Sequence, residues 1–158
     1  MLSTIEKVLI LKTVDLFSGT PDEILAEVAT LLAEVELLAG QTIIHKGEPG
    51  DCMYIVISGQ LQAHDGQTIF NTLTDGEVFG EMALLDPEPR LASITAVEDS
   101  QLLRLDQQPF FELMEDRIEI ARGVIRVLSG HLRNRVRDVA ALQARVSELE
   151  TQLTARNG

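Results

Sequence analysis

Two oppositely charged side chains, Glu81 and Arg90, lie in the segment EVFGEMALLDPEPRLAS (residues 77–93), whose other residues are largely glycine, small or apolar. A charge in such surroundings requires a partner, because burying an unpaired charge is costly. One interpretation is an internal ion pair that anchors a loop. The other is that Arg90 binds an anion, since a planar guanidinium suits phosphate oxygens. Internal pairing alone explains this arginine poorly, and we favour a phosphate.

The chain is strongly acidic, with a formal net charge of −12 over 158 residues. Residues 133–158 contain more arginines than acids, so the excess negative charge lies in residues 1–132. An acidic body repels polyphosphate backbones, which argues against nucleic-acid binding. If Arg90 binds a phosphate, we therefore expect a single phosphate group bound at this residue and not a nucleic-acid backbone.

Composition indicates a globular protein with one core, since 45% of the residues are hydrophobic and 24% are charged. Cys52 is the only cysteine and cannot form an internal disulfide, which favours a reducing compartment. The longest early apolar stretch, residues 8–11, is too short to insert into a membrane or to serve as a secretory signal. We expect a cytoplasmic protein.

Other patterns that could carry chemistry are weak. His45, His64 and His131 share no metal-ligand spacing with Cys52, so we expect no metal site and no cofactor. The sequence contains neither a P-loop nor a nucleophile elbow. We therefore expect no catalytic residues and no enzyme activity.

A helix of three to four turns is predicted after Thr20, the expected N-cap, with Pro21 at its first position and Glu23 completing a capping box. Apolar residues then recur at helical spacing at Ile24, Val28, Leu31, Leu32 and Val35.

Residues 41–105 are predicted to be all-β, because short β-branched runs alternate there with glycines. Asp65-Gly66 suits a two-residue type I′ hairpin. A closed or double-layered antiparallel arrangement protects so many short strand edges best. We expect an α+β, mainly β, fold: an antiparallel β-roll or jelly roll flanked by an N-terminal helix and C-terminal helices.

Helical spacing returns after Asp106, with Gly123 and Gly130 as candidate breaks. Phe110, Phe111, Leu113 and Met114 are expected to face the core. Apolar residues then recur at heptad spacing, interrupted by Arg135, at Ile125, Leu128, Leu132, Val139, Leu142, Val146, Leu149 and Leu153. This pattern predicts a parallel two-stranded coiled coil in which Arg145 pairs with Glu150 of a partner; the alternative is an amphipathic helix lying on its own β-body. We divide the chain into a domain at 1–132 and a helical extension at 133–158.

The segment FGEMALLDPEPRLAS resembles the phosphate-binding cassette of cyclic nucleotide-binding domains, with every specified position in register. The upstream segment HKGEPGDCMYIVISGQL is similar to the glycine-rich hairpin region of the same family. The resemblance covers about residues 14–130. The helix, β-roll, helix order predicted above is the order that this family would require.

The resemblance implies that Gly80 allows close approach of a ribose, that Glu81 accepts a hydrogen bond from the ribose 2′-hydroxyl, and that Arg90 binds the cyclic phosphate together with a short helical turn at 82–85. Leu91 stands where relatives often have alanine, and Ser93 where a hydroxyl can reach the purine. The implied ligand-binding residues are Phe79, Gly80, Glu81, Met82, Ala83, Arg90, Leu91, Ala92 and Ser93.

The function implied is that of a regulatory sensor of a cyclic purine mononucleotide, with cyclic AMP favoured and cyclic GMP left open. Occupancy would be relayed through the C-terminal helix, acting as a lid, to a homodimer and to a fused or separate effector protein. Many relatives carry a DNA-binding helix-turn-helix, but residues 134–158 offer no second helix for one. The alternative function is an interaction or dimerisation scaffold with the same fold and an empty pocket.

Overall fold

The structure, a computed structural model, describes residues 1–158. Five helices and ten strands follow one another along the chain. The helices are α1 (Thr4–Thr13), α2 (Asp22–Ala29), α3 (Glu81–Leu85), α4 (Gln107–Asp116) and α5 (Ile118–Asn157), with a 3-10 turn at Asp15–Phe17. The strands are β1 (Ala33–Leu37), β2 (Thr42–Ile44), β3 (Pro49–Gly50), β4 (Cys52–Ser58), β5 (Leu61–His64), β6 (Ile69–Leu73), β7 (Val78–Phe79), β8 (Glu88–Pro89), β9 (Ser93–Ala96) and β10 (Ser100–Asp106).

The strands form two four-stranded antiparallel sheets, in the orders β1-β10-β4-β7 and β2-β9-β5-β6. A separate two-stranded ladder joins β3 to β8. Because side chains alternate along a strand, β4 places Tyr54 and Val56 in the core between the sheets and Met53 and Ile55 in the core under the helices. This architecture confirms the predicted β-roll with flanking helices.

The N-terminal region differs from its prediction. Helix α2 ends at Ala29, and Val35 lies in strand β1, so the predicted helix is too long. The predicted N-cap is also wrong, because Pro21 is the N-cap and the Thr20 hydroxyl is buried without a hydrogen-bond partner. Helix α1, which begins with a capping box formed by Ser3 and Glu6, was not predicted.

The β5–β6 connection contains four residues, 65–68, rather than the predicted two. Asp65 shapes it, because its carboxylate accepts hydrogen bonds from the backbone N–H groups of Gln67 (2.9 Å) and Thr68 (2.8 Å). Only Gly66 has a positive φ, whereas a type I′ turn requires one at both central residues.

Helices α4 and α5 meet at Arg117, not at Gly123 or Gly130. Arg117 donates to both carboxylate oxygens of Glu27 on α2, at 2.7 and 3.0 Å. Phe110 is fully buried, as predicted, while Phe111, Leu113 and Met114 pack around the core partly exposed. Helix α5 then runs without a break through position 132, so the proposed division of the chain there stays a prediction.

After His131, which contacts Asp15, the far part of α5 makes no hydrogen bond or ion pair with the body. Ile120, Gly123 and Val124 are its buried residues, and residues 131–158 are all exposed. No helix combines the length and the apolar content that crossing a membrane requires.

Candidate functional site

The segment 77–93 contains strand β7, the short helix α3 and strand β8. Strand β7 delivers Phe79, which is stacked on Tyr54 with ring centroids 5.1 Å apart, and Gly80 then reverses the chain with φ +82° before α3. A Cβ atom at Gly80 would lie 2.7 Å from both the Cys52 carbonyl oxygen and Arg90 Nη1. Glycine is therefore required here for its backbone conformation and for the space it leaves.

The main chain of Arg90 is fixed from both sides. Its N–H donates to the Glu48 carbonyl and its own carbonyl accepts from the Gly47 N–H, both at 2.8 Å. The β3–β8 ladder continues this attachment, because Pro49 pairs with Pro89 and Gly50 with Glu88. The turn after β2 thus positions the arginine before any ligand is present.

The Arg90 guanidinium has a neutral partner. Nη2 donates to the Cys52 carbonyl oxygen at 2.9 Å and lies 3.5 Å from the Cys52 thiol sulfur. None of the ion pairs in the structure includes Arg90 or Glu81. The internal ion pair considered from the sequence is therefore not formed, and the guanidinium keeps its positive charge available for an anion.

A cavity of about 260 Å³ opens beside this guanidinium. Its wall is mostly apolar and comes from the cassette and from strands β2 and β9; the lining residues are Ile44, Phe79, Gly80, Met82, Ala83, Glu88, Pro89, Arg90, Leu91, Ala92 and Ile94. No residue of α4 or α5 lines it, so the helix expected to act as a lid does not close it. An apolar cleft with a few polar or charged groups, here Arg90 and Glu88, is the usual form of a small-molecule site.

Most of the implied ligand-binding residues meet at this cavity. Seven of them line it: Phe79, Gly80, Met82, Ala83, Arg90, Leu91 and Ala92. Leu91 is 88% exposed, so its larger side chain projects to solvent. Glu81 and Ser93 do not line the cavity. The Ser93 hydroxyl instead accepts a hydrogen bond from the Lys46 N–H at 2.9 Å.

Glu81 is the first residue of α3 and is partly buried. Burial raises the pKa of its carboxyl group, the nearby negative charge of Asp15 raises that pKa further, and His131 lowers it. The side chains of Asp15 and His131 are hydrogen-bonded to each other between the 3-10 turn and α5. The Glu81 carboxyl group therefore lies near the contact between α5 and the body, and it does not form part of the cavity wall.

Two residues that hold Arg90, Gly50 and Cys52, were not predicted as part of the site. Their segment was singled out for its glycine spacing, but no local signal shows that a side chain about 40 residues later packs on it. Ile44 and Ile94 were missed for the same reason, since they join the cavity only through the pairing of β2 with β9.

No group of three or more His, Cys, Asp and Glu side chains is arranged to hold a metal ion. The chemistry available at the cavity is that of one fixed cation, apolar walls, backbone N–H groups and, at its exposed side, the Glu88 carboxylate. Such an arrangement can recognise a small anion that carries a flat or apolar portion.

Comparisons with known proteins agree with this description. A family model described as "Cyclic nucleotide-binding domain" matches residues 34–117. The chain is 31% identical over 159 residues to a CRP-like cAMP-activated global transcriptional regulator of Mycobacterium tuberculosis, covering 94% of this chain and 71% of that protein.

Two solved structures have the same fold. The N-terminal domain of a transcriptional regulator from Streptomyces coelicolor superposes with a TM-score of 0.77 at 32% identity, over 82% of this chain and 94% of that one. The regulatory domain of Toxoplasma gondii PKA, crystallised with cAMP, gives a TM-score of 0.65 at 31% identity, over 72% of this chain and 45% of that one.

Proposed function

The chain belongs to the cyclic nucleotide-binding domain family, and from that membership we propose that it is a regulatory sensor of a cyclic purine mononucleotide. One observation carries this proposal. Arg90 holds a positive charge beside an apolar cavity and has only a carbonyl and a thiol as partners. A cyclic phosphate supplies the missing negative charge, and its nucleoside fits the apolar walls.

Phosphate binding would combine Arg90 with the start of α3. The N–H groups in the first turn of a helix have no intrahelical acceptor, and those of Met82 and Ala83 stand next to the cavity. We assign the phosphate to Arg90 and these N–H groups, and the ribose 2′-hydroxyl to Glu81.

Cyclic AMP is the preferred ligand in this proposal. The names of two relatives given above refer to cAMP, as activator in one and as bound ligand in the other. The Ser93 hydroxyl, which would be placed to contact a purine, does not line the cavity and instead accepts a hydrogen bond from the Lys46 N–H. We therefore expect cyclic GMP to bind more weakly.

The relatives named above are regulators, and we propose that this chain likewise acts by binding rather than by catalysis. Its output would pass through α5 to a second copy of the chain and to an effector protein, fused or separate. The acidic body gives no support to direct nucleic-acid contact by residues 1–132. The free Cys52 thiol is compatible with action in the cytoplasm.

Calorimetric titration of the purified protein with cyclic AMP and cyclic GMP tests this function. Replacing Arg90 with alanine removes a charge-assisted hydrogen bond of about 1.5–3 kcal/mol, so we expect cyclic AMP to bind about 10- to 150-fold more weakly. Arg137→Ala removes an equal charge from the exposed part of α5 and should bind cyclic AMP as the wild type does.

Two results would reject the sensor. One is a wild-type protein that binds neither nucleotide, which would leave the scaffold function. The other is an Arg90→Ala protein that binds cyclic AMP with unchanged affinity, which would place the phosphate elsewhere.

A further inference from the structure

The Arg90 side chain lies close to two glycines from different parts of the chain. Gly80 of the cassette leaves room for Nη1, and Gly50 of β3 lies against the opposite part of the side chain. A Cβ atom at Gly50 would fall 2.0 Å from Arg90 Nε, 2.4 Å from Cζ and 2.7 Å from Cδ. These distances are far below van der Waals contact, so the guanidinium rests directly on the Gly50 main chain.

Positions 50 and 80 require glycine for different reasons. The φ of Gly50 is not in the left-handed region, whereas that of Gly80 is. The backbone at position 50 therefore accepts an alanine, and the three atoms nearest to the new Cβ would all belong to Arg90.

The main chain around Gly50 has little freedom to move away. Gly50 is buried and pairs with Glu88 in the β3–β8 ladder. The next carbonyl, that of Asp51, accepts a hydrogen bond of 2.9 Å from the Gln107 N–H at the start of α4. A side chain at position 50 would therefore displace the guanidinium rather than the loop.

We propose that Gly50 is a positioning residue for Arg90: its bare main chain holds the guanidinium against the Cys52 carbonyl and so aims the remaining N–H groups at the cavity. This inference rests on the proposed function in assigning the phosphate to Arg90. Without Gly50, the arginine would keep its charge but lose the orientation that a planar cation needs for phosphate oxygens.

A double-mutant cycle tests the proposal on the full chain, using wild type, Gly50→Ala, Arg90→Ala and the double variant. The titrant is cyclic AMP. We expect Gly50→Ala to bind about 10- to 100-fold more weakly, the loss expected when one charge-assisted hydrogen bond is disturbed. In the Arg90→Ala background the same change should cost no further affinity, because there is no guanidinium left to displace.

Stability provides a second readout that needs no ligand. Urea unfolding should show Gly50→Ala to be less stable than wild type. In the Arg90→Ala background, Gly50→Ala should cost no stability, because the side chain with which the new methyl group collides is absent. Gly130→Ala, with no atom within 4 Å of its new Cβ, is the matched control and should leave affinity unchanged.

The outcomes separate this inference from the proposed function. A wild-type protein that binds neither cyclic AMP nor cyclic GMP rejects the function, and the stability cycle then decides on Gly50 alone. Additive losses in affinity or in stability, or a Gly50→Ala protein that matches the wild type in both, overturn the positioning role. If Gly50→Ala does not fold, recovery of folding in the double variant supports the proposal and its absence contradicts it.

Discussion

Glu81 and Arg90 lie nine positions apart but differ in how their surroundings treat the charge. Arg90 donates to a carbonyl and keeps its positive charge in a fixed orientation. Glu81 is partly buried, has no ion-pair partner and lies near the negative Asp15. In the unliganded protein, the ionised form of Glu81 is therefore disfavoured, and a ligand hydroxyl would give this carboxylate a hydrogen bond that the protein does not.

Replacing Glu81 with glutamine should stabilise the unliganded protein at pH 7. Burial, followed by the charge of Asp15, raises the pKa of Glu81 above its ordinary value of 4.5. The folded state then binds this proton more tightly than the unfolded state, so the contribution of Glu81 to stability is fully present below pH 4.5 and is lost as the pH rises through the raised pKa. Urea unfolding at pH 7 and pH 4 measures the difference, which should shrink at the lower pH.

The same substitution should weaken cyclic AMP binding about 5- to 10-fold at pH 7, because a neutral amide replaces a carboxylate as acceptor at a net cost of about 1 kcal/mol. Wild-type affinity should also fall as the pH decreases through the raised pKa, and that fall should be smaller in the variant. Glu77→Gln, on an exposed residue of the same segment, is the control. A variant that is less stable than wild type at pH 7 would contradict this account of Glu81.

At the scale of elements, local patterns predicted most of the fold. Three of these patterns are local in sequence: the glycine spacing of the β region, the cassette motif and the heptad repeat of α5. The end of α2 carries none, because Leu31, Leu32 and Val35 fit helical spacing while residues 33–37 alternate as strand β1. Pairing of β1 with β10 decides between the two. Helix α1 was missed since its apolar residues do not form one clear face, and Gly50 was missed since its neighbour Arg90 is brought to it only by the folded sheets.

The docking of α5 depends on a contact between Gly19 and Gly123. A Cβ atom at Gly123 would lie 2.9 Å from the Thr20 hydroxyl and 3.0 Å from the Gly19 carbonyl oxygen. Alanine at position 123 should therefore destabilise the protein by about 1–3 kcal/mol through overpacking, even though alanine is the better helix former.

Gly130→Ala is the matched variant on the same helix, since nothing lies within 4 Å of its new methyl group. It should stabilise the protein by about 0.5–1 kcal/mol through helix propensity alone. Urea unfolding measures the change in stability of each variant. A stabilised Gly123→Ala protein would show that α5 docks less closely than the structure indicates.

For the whole molecule, the exposed face of α5 supports the proposed homodimer. The heptad residues Ile125, Leu128, Leu132, Val139, Leu142, Val146, Leu149 and Leu153 are all exposed. They do not face the body, which contacts the buried side of α5 at Ile120, Gly123 and Val124. The alternative of a helix lying along its own β-body is therefore wrong for residues 132–158, and an exposed apolar stripe of this kind, although interrupted at Arg135, is typical of an interaction surface.

Arg135 is the one charged residue within this stripe, and we expect it to limit the strength of the dimer. It lies 3.7 Å from Asp138 in its own chain and is otherwise exposed. Arg135→Leu would complete the leucine positions of the heptad, so it should lower the dimer dissociation constant at least about tenfold. Arg137→Leu adds the same side chain away from the stripe and should change the constant little.

Sedimentation equilibrium with and without cyclic AMP measures these constants. Since the proposed output passes through α5, ligand should shift the wild-type dimer constant, and the tighter Arg135→Leu dimer should also change the affinity for cyclic AMP by linkage. A monomer at all concentrations, or equal effects of the two leucine variants, would reject this stripe as the dimer interface.

The length of α5 turns a small rotation into a large displacement. The helix is anchored at Gly123 and continues to Asn157, a distance of about 50 Å at 1.5 Å per residue. A tilt of about 10° at the anchor would carry the far end roughly 9 Å, several times the width of a backbone hydrogen bond. If α5 pivots where Gly19 and Gly123 meet, the helix would therefore act as a lever, and a small rotation at these two glycines would be enlarged at its far end.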